Sequence, residues 1–369
     1  MLPFAIVGVN HDCEAFVLRY LELRAIRENL WFAQDAFPVV KSGTMLETLT
    51  LKELYSPVRD DVDAVSARVG DFWTKALQLV HGPSMPSVQP GGKLLRPALC
   101  LLSAGVSGAQ KPRSFVNLAT GIELLHVAAL AHDDVIDRAS IRRGVHTLNA
   151  RWDDHAAILA GDYLVARAIE LMTSYDSTCV ISSAIKSIRE MAEAELKCFA
   201  NGKGPMTETE ILDVARKKTA SLFASACSIP ACLVKDGPSE TLYEYGTALG
   251  IAFQIIDDLL DLQQDATVLG KPSCSDIVEG KQTLPILFMK EGLDESGKRR
   301  LDGMRGSELT PNDRDWVLDM LRATKAAERT EAIARDYAAQ AHAATAHFPL
   351  GPYRDSMVGI VDFVLARNW

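Results

Sequence analysis

Carboxylates gathered at helical spacing are the residues of this chain best suited to chemistry. Asp133, Asp134 and Asp137 lie in the run AHDDVIDRASIRRG, and Asp257, Asp258 and Asp261 lie in FQIIDDLLDL, more than a hundred residues later. A helix turns once in about 3.6 residues, so Asp133 and Asp137 share one face, as do Asp257 and Asp261. The flanks, LLHVAALA before the first cluster and GIAFQII before the second, are apolar enough to be interior. Carboxylates in such a setting are costly unless a cation meets them. Magnesium suits these donors: it takes oxygen ligands, one or two carboxylates at a time, and completes its shell with water and substrate phosphate.

Basic residues accompany both clusters. Arg142 and Arg143 follow Asp137 by one to two turns, His126 precedes Asp133 by two turns, and Lys93 and Arg96 follow a glycine pair in GGKLLRP. Charge of both signs at one place points to a polyanion, one phosphate group neutralised by metal and another held directly by Arg, Lys and His. A single D-D-x-x-D is a weak signal, because acidic clusters usually sit on solvated helix faces. Its recurrence beside these cations is what gives it weight. Asp153 and Asp154 form another acidic pair, which reads as the charged first turn of a helix rather than as a metal site. His132 reads as a helix-face neighbour of the first cluster.

The elements that must position these residues are helices. Val58 to Val80 shows helical spacing after Ser56-Pro57, and long apolar-periodic segments follow through both clusters and on to the C-terminus. Thr207 with Glu210 forms a capping-box pattern that opens the helix carrying RKKTASLFASAC. Strand alternation with hairpin dipeptides is nearly absent. After the second cluster, QQDATVLGKPSCSDIVEGKQTLPIL reads as a loop long enough to be functional. The expectation is an all-α fold, a single-domain helical bundle. Residues 1–44 carry no motif that connects to the rest. They read as an N-terminal extension of unknown role or as the result of a mis-assigned start, with 45–369 as the domain.

The 369 residues are 48% hydrophobic, ample for a buried core, and the net charge of −9 argues against nucleic acid as a partner. Seven scattered cysteines without a C-x-x-C pair fit a reducing compartment better than a disulfide framework or a zinc site. The N-terminal run matches neither secretory nor transit signals, and no apolar run approaches a membrane span, so the expected localisation is cytoplasmic, with no transmembrane segment.

Over roughly residues 50–369 the chain resembles the trans-isoprenyl diphosphate synthases, which elongate prenyl chains head to tail. The resemblance rests on GGK-x-x-RP (Lys93, Arg96), His126 seven residues before Asp133, the paired D-D-x-x-D clusters, RRG (Arg142, Arg143), KT (Lys218, Thr219), FQ before the second cluster (Gln254), GKP (Lys271) and EGK-x-TLP (Lys281). Their order and spacing all agree with that family. It implies an isoprenoid-synthase-type bundle around a central cavity that both aspartate clusters face, isopentenyl diphosphate and an allylic diphosphate as substrates, three Mg2+ ions, and a homodimer. Asp133, Asp137 and Asp257 would bind metal, with Asp134, Asp258 and Asp261 as supporting or supplementary ligands. Arg142, Lys218, Gln254 and Lys271 would complete the allylic pocket, with Thr219 as a nearby hydroxyl donor, and Lys281 would bind substrate. Lys93, Arg96, His126 and Arg143 would hold isopentenyl diphosphate.

Two positions depart from the family pattern. Leu94 stands where many members carry a second basic residue, and Cys274 stands where GKP-x-G has glycine. If that position needs a positive φ, Cys274 is strained. Ala129 lies one turn below Asp133 on the same face, with Ala128 beside it, where bulky aromatics in the family resemble a floor that stops growth. Their small size implies geranylgeranyl or longer products. A class I terpene cyclase and a non-catalytic subunit of a heteromeric synthase remain the alternatives; the second D-D-x-x-D and the retained cations weigh against both.

Overall fold

In the computed structural model, the described residues are 38–41, 44–48, 50–82, 91–142, 144–201, 204–264 and 273–367. Two expected site residues, Arg143 and Lys271, lie outside them, as does most of the expected N-terminal extension. The principal helices are α1 (Arg59–His81), α2 (Leu95–Val106), α3 (Val116–Ile136), α4 (Asp154–Thr173), α5 (Thr178–Asn201), α6 (Glu208–Ala215), α7 (Ser221–Cys232), α8 (Ser239–Gln263), α9 (Leu284–Gly292), α10 (Ala326–Thr345) and α11 (Pro352–Leu365). The chain is all-α, as expected. Local signals account for several starts: Asp153 caps α4 by accepting from the Ala156 amide at 2.8 Å, and Thr207 and Glu210 form a reciprocal capping box on α6.

Strand structure among the described residues is slight. β1 (Pro38–Lys41) and β2 (Thr44–Thr48) pair antiparallel, so this hairpin straddles the expected boundary between residues 44 and 45. β3 (Ile141–Arg142) and β4 (Val145–His146) form a short second hairpin directly after the first aspartate cluster.

Helix α7 organises the bundle. Every side chain from Ser221 to Ala231 is buried, and α7 packs on α2, α3, α5 and α8. A helix enclosed on all sides must be apolar or small all round, and SLFASACSIPA is. It thereby stands between the two helices that carry the aspartates. Close approach of α8 depends on two glycines: a Cβ on Gly246 would come within 2.6 Å of the Phe223 carbonyl oxygen, and one on Gly250 within 2.6 Å of the Ala220 Cα. Helix α8 spans two cores. Leu242, Tyr245 and Leu249 join the cluster around α2, α3 and α7, while Ile255, Ile256, Leu259 and Leu260 pack with α9 and α10.

Two expectations need correction. The segment Pro112–Ile136, ending α3, is long and apolar enough by length and composition to cross a membrane, contrary to the sequence reading. Within the bundle 72% of its most apolar stretch is buried, so its hydrophobicity serves packing. The cysteines differ too: Cys179, at the start of α5, is disulfide-bonded to Cys232, at the end of α7, whereas Cys100, Cys198, Cys227 and Cys274 are free. Sequence spacing could not show this, because the partners stand 53 residues apart and meet only when α5 and α7 pack.

Candidate active site

Along buried α3, His126, Ala129, Leu130, Asp133 and Asp137 are only partly covered, whereas Val127, Ala128, Ala131 and Asp134 are buried. The partly covered residues recur at helical spacing and form one accessible stripe leading to the first aspartate cluster. Of the two alanines expected to set chain length, Ala129 lies on this stripe. Ala128 does not: it is fully buried in the core cluster, because one residue turns the helix by about 100°.

Each aspartate of the first cluster faces a cation. Lys218 Nζ lies 3.4 Å from Asp133 Oδ2, Arg142 Nε donates to Asp134 Oδ1 at 2.5 Å, and Lys281 Nζ donates to Asp137 Oδ2 at 2.8 Å. Burial pushes the Asp134 carboxyl above its usual pKa even though the Arg142 guanidinium works against that shift. Lys218 and Lys281 are held charged: burial alone would lower their ammonium pKa values, but neighbouring carboxylates more than compensate. Lys218 also pairs with Glu195, and Lys281 with Glu279 Oε2 at 2.5 Å.

Lys218 and Thr219 sit in a π-helical turn, Arg216–Ala220, between α6 and α7. Such a turn adds a residue to the helical repeat and is frequent at functional sites. Thr219 Oγ1 donates to Gln254 Oε1 at 2.5 Å, and Gln254 Nε2 donates to Asp258 Oδ1 at 2.6 Å. This relay orients Asp258 from a neighbouring element. Asp257 meets a residue that sequence reasoning missed: Arg367 Nη2 donates to its Oδ1 at 3.1 Å.

Asp261 stands apart from the others in its cluster. It is buried, accepting from Ser275 Oγ at 2.7 Å and from the Asp276 amide at 3.0 Å, so it fastens the start of the short helix Ser275–Glu279 to α8. Cys274, immediately before that helix, has φ 57° and ψ 29°, the left-handed conformation that glycine adopts without strain. Leu94, before α2, is likewise left-handed with φ 51°.

In the GGKLLRP segment, Tyr55 Oη donates to the Lys93 carbonyl at 2.9 Å, and Lys93 Nζ lies 5.5 Å from the Phe363 ring centroid. Arg96 stacks with Cζ 4.4 Å from the Phe223 centroid. Helices α2 and α3 pack together, which sets Arg96 and half-buried His126 on neighbouring helices.

Lys281 follows the second aspartate cluster in sequence yet bonds Asp137 of the first, and adjacent Lys218 and Thr219 reach Asp133 and, through Gln254, Asp258. Among the described residues, no three His, Cys, Asp or Glu side chains gather closely enough to cage a metal. Hard carboxylate oxygens offered in ones and twos fit magnesium that shares its shell with a phosphate-bearing substrate. Sequence reasoning missed Glu195, Glu279 and Arg367. The glutamates carried no signal that separates them from surface acids; Arg367, ending the apolar run IVDFVLAR, offered a weak one.

Comparison with known proteins places these features in context. The family model for polyprenyl synthetase matches residues 78–319. The octaprenyl diphosphate synthase of Escherichia coli is 33% identical over 327 residues, covering 87% of this chain and 100% of that protein. Heptaprenyl diphosphate synthase component 2 of Bacillus subtilis is 30% identical over 346 residues, covering 91% and 97%. A crystal structure of polyprenyl synthase from Caulobacter crescentus, complexed with calcium and isoprenyl diphosphate, superposes with a TM-score of 0.80 at 30% identity, covering 90% of this chain and 100% of that one.

Proposed function

We propose, from the premise that this chain belongs to the polyprenyl synthetase family, that its two aspartate clusters form one diphosphate site serving products of geranylgeranyl length or longer. The chain is a prenyltransferase that condenses isopentenyl diphosphate head to tail with an allylic diphosphate. The observation that carries the assignment of the site is the Lys281–Asp137 contact at 2.8 Å, which ties the segment after the second cluster to the first.

In this reading Asp133, Asp137 and Asp257 would hold three magnesium ions, with Asp134 and Asp258 supporting them, while Asp261, whose two oxygens accept from Ser275 and Asp276, is given over to anchoring the helix that follows. Bound magnesium would supply Lewis-acid neutralisation of the diphosphate's charge. Arg142, Lys218, Lys271 and Lys281 donate to the allylic diphosphate, where preformed positive charge favours the leaving group most as it departs. Gln254 orients Thr219 and Asp258 around it. Lys93, Arg96, His126 and Arg143 hold isopentenyl diphosphate. The allylic C–O bond breaks with its electron pair leaving on diphosphate, the isopentenyl alkene forms the new C–C bond, and a proton is then lost to the departed diphosphate.

The test is to incubate purified protein with magnesium, labelled isopentenyl diphosphate and, separately, dimethylallyl, geranyl, farnesyl or geranylgeranyl diphosphate, and to size the dephosphorylated products. A ladder ending at one length is expected. Cyclic hydrocarbon would mark a cyclase. Label left entirely in isopentenyl diphosphate would mark a subunit awaiting a partner, a reading kept in view because one relative is named as component 2 of its synthase.

A homodimer is part of the same proposal. Helix α5 presents Ile181, Ile185, Ile188, Ala192, Leu196 and Phe199 at helical spacing, with Leu196 66% and Phe199 88% exposed, beside exposed Ile158 and Leu159 of α4. A contiguous apolar face of this kind favours a second copy of the same face. Replacing Leu196 and Phe199 together by glutamate is expected to convert a dimer to a monomer in light scattering. A wild-type mass unchanged by the pair would remove this face from the interface. The cytoplasm is the proposed compartment on the strength of the free thiols, with Cys179–Cys232 as a local exception to that pattern.

A further inference from the structure

We infer that Arg367 is a fixed internal counterion of Asp257, and that it makes divalent-metal binding there depend on diphosphate arriving with the metal. This deepens the proposed function and rests on Asp257 being a metal ligand. Arg367 follows α11 and is only 4% exposed, while the Asp257 side chain that it meets at 3.1 Å remains 47% exposed. The guanidinium is therefore buried behind a carboxylate that stays accessible.

What distinguishes Arg367 from the other cations is how it is held. Lys218 and Lys281 meet aspartates of the site through ammonium groups on flexible four-carbon stems. The planar guanidinium of Arg367 lies with Cζ 4.2 Å from the centroid of Phe253, one turn before Asp257 on α8. Phe253 in turn leans on Phe223 with ring centroids 5.2 Å apart, and Arg96 packs on Phe223. This Arg–Phe–Phe–Arg stack pins the positive charge beside Asp257. A cation fixed there weakens the local field that draws a divalent ion and repels it once it binds the same carboxylate. Diphosphate brings negative charge back to that place, so metal and diphosphate bind better together than either does alone.

Free Mn2+, counted by electron paramagnetic resonance as a stand-in for magnesium, is to be titrated into the full chain with and without inorganic pyrophosphate. The proteins compared are wild type, Arg367→Gln, Arg367→Lys and Asp257→Asn. Arg367→Gln is expected to bind Mn2+ alone about five- to tenfold more tightly than wild type and to gain correspondingly less from pyrophosphate. Arg367→Lys, which keeps the charge, is expected to stay near wild type. Unchanged or weaker Mn2+ binding by Arg367→Gln, while Asp257→Asn loses affinity, overturns the inference and leaves the site assignment standing. Wild-type Mn2+ binding by Asp257→Asn overturns the metal assignment and the inference with it. If Arg367→Gln does not fold, Phe253→Leu loosens the platform instead; it is expected to move Mn2+ affinity in the same direction, and no movement counts against the pinned counterion.

Discussion

Asp133→Ala is expected to lower turnover by at least about a thousandfold, the scale on which charge stabilisation of a leaving group acts in a preorganised site. The fold should survive. Asp133 is partly exposed at the end of α3, its ion pair with Lys218 at 3.4 Å is a long one, and Lys218 keeps Glu195 when Asp133 is gone. Lys218 thus keeps a carboxylate partner, and its buried charge is not left uncompensated. The helical circular-dichroism signal and melting curve should therefore track wild type while product formation collapses. Asp257→Ala should abolish turnover to a similar degree but melt earlier, because it removes the carboxylate that faces buried Arg367. Saturating both substrates and magnesium separates lost chemistry from weakened binding. Near-wild-type turnover in both variants would sink the assignment of the aspartates.

The second large effect is on what is made rather than how fast. Ala129→Phe is expected to shorten the principal product to farnesyl or geranylgeranyl diphosphate if the wild type makes longer chains. Ala129 is partly covered, stands about 6 Å below Asp133 along the helix axis, and belongs to the same accessible stripe. A growing prenyl tail is apolar and is driven to run down such a stripe, so a ring there acts as a floor. The neighbouring substitution, Ala128→Phe, is expected to behave differently: at a fully buried position in the core it overpacks the bundle and lowers stability by about 1–3 kcal/mol. Chromatography of the dephosphorylated products alongside thermal melts separates the two. Equal product lengths from wild type and Ala129→Phe would move the floor to another helix.

Much of this architecture is legible in the sequence because it is local. The helical faces of Asp133/Asp137 and Asp257/Asp261 follow from the helix repeat, and the caps at Asp153 and Thr207 follow from side chains that reach their own first turn. What resisted reading was non-local. Helices α3 and α7 are apolar nearly all round, so hydrophobic periodicity could not say which neighbours enclose them; the helix repeat puts Ala129 on the Asp133 face, but only the packing shows that Ala128 beside it is wholly buried. Glu195, Glu279 and Arg367 earn their places through partners that are distant in sequence, as Cys179 and Cys232 do through each other.

Cys274 shows the boundary between the two kinds of information. The sequence flags it as the place where a glycine is usual, and only the folded backbone, with φ 57°, turns that flag into strain. By itself the sequence determined the residue types, their helical faces and hence a chemistry of carboxylates, magnesium and diphosphate. The tertiary structure decided which cation stands on each aspartate: Lys218 on Asp133, Arg142 on Asp134, Lys281 on Asp137 and Arg367 on Asp257. The reason is range. Helix geometry is set within a few residues, whereas the ion pairs of Lys218, Lys281 and Arg367 join residues 85 to 144 positions apart and exist only once α7 has drawn α3 and α8 around it.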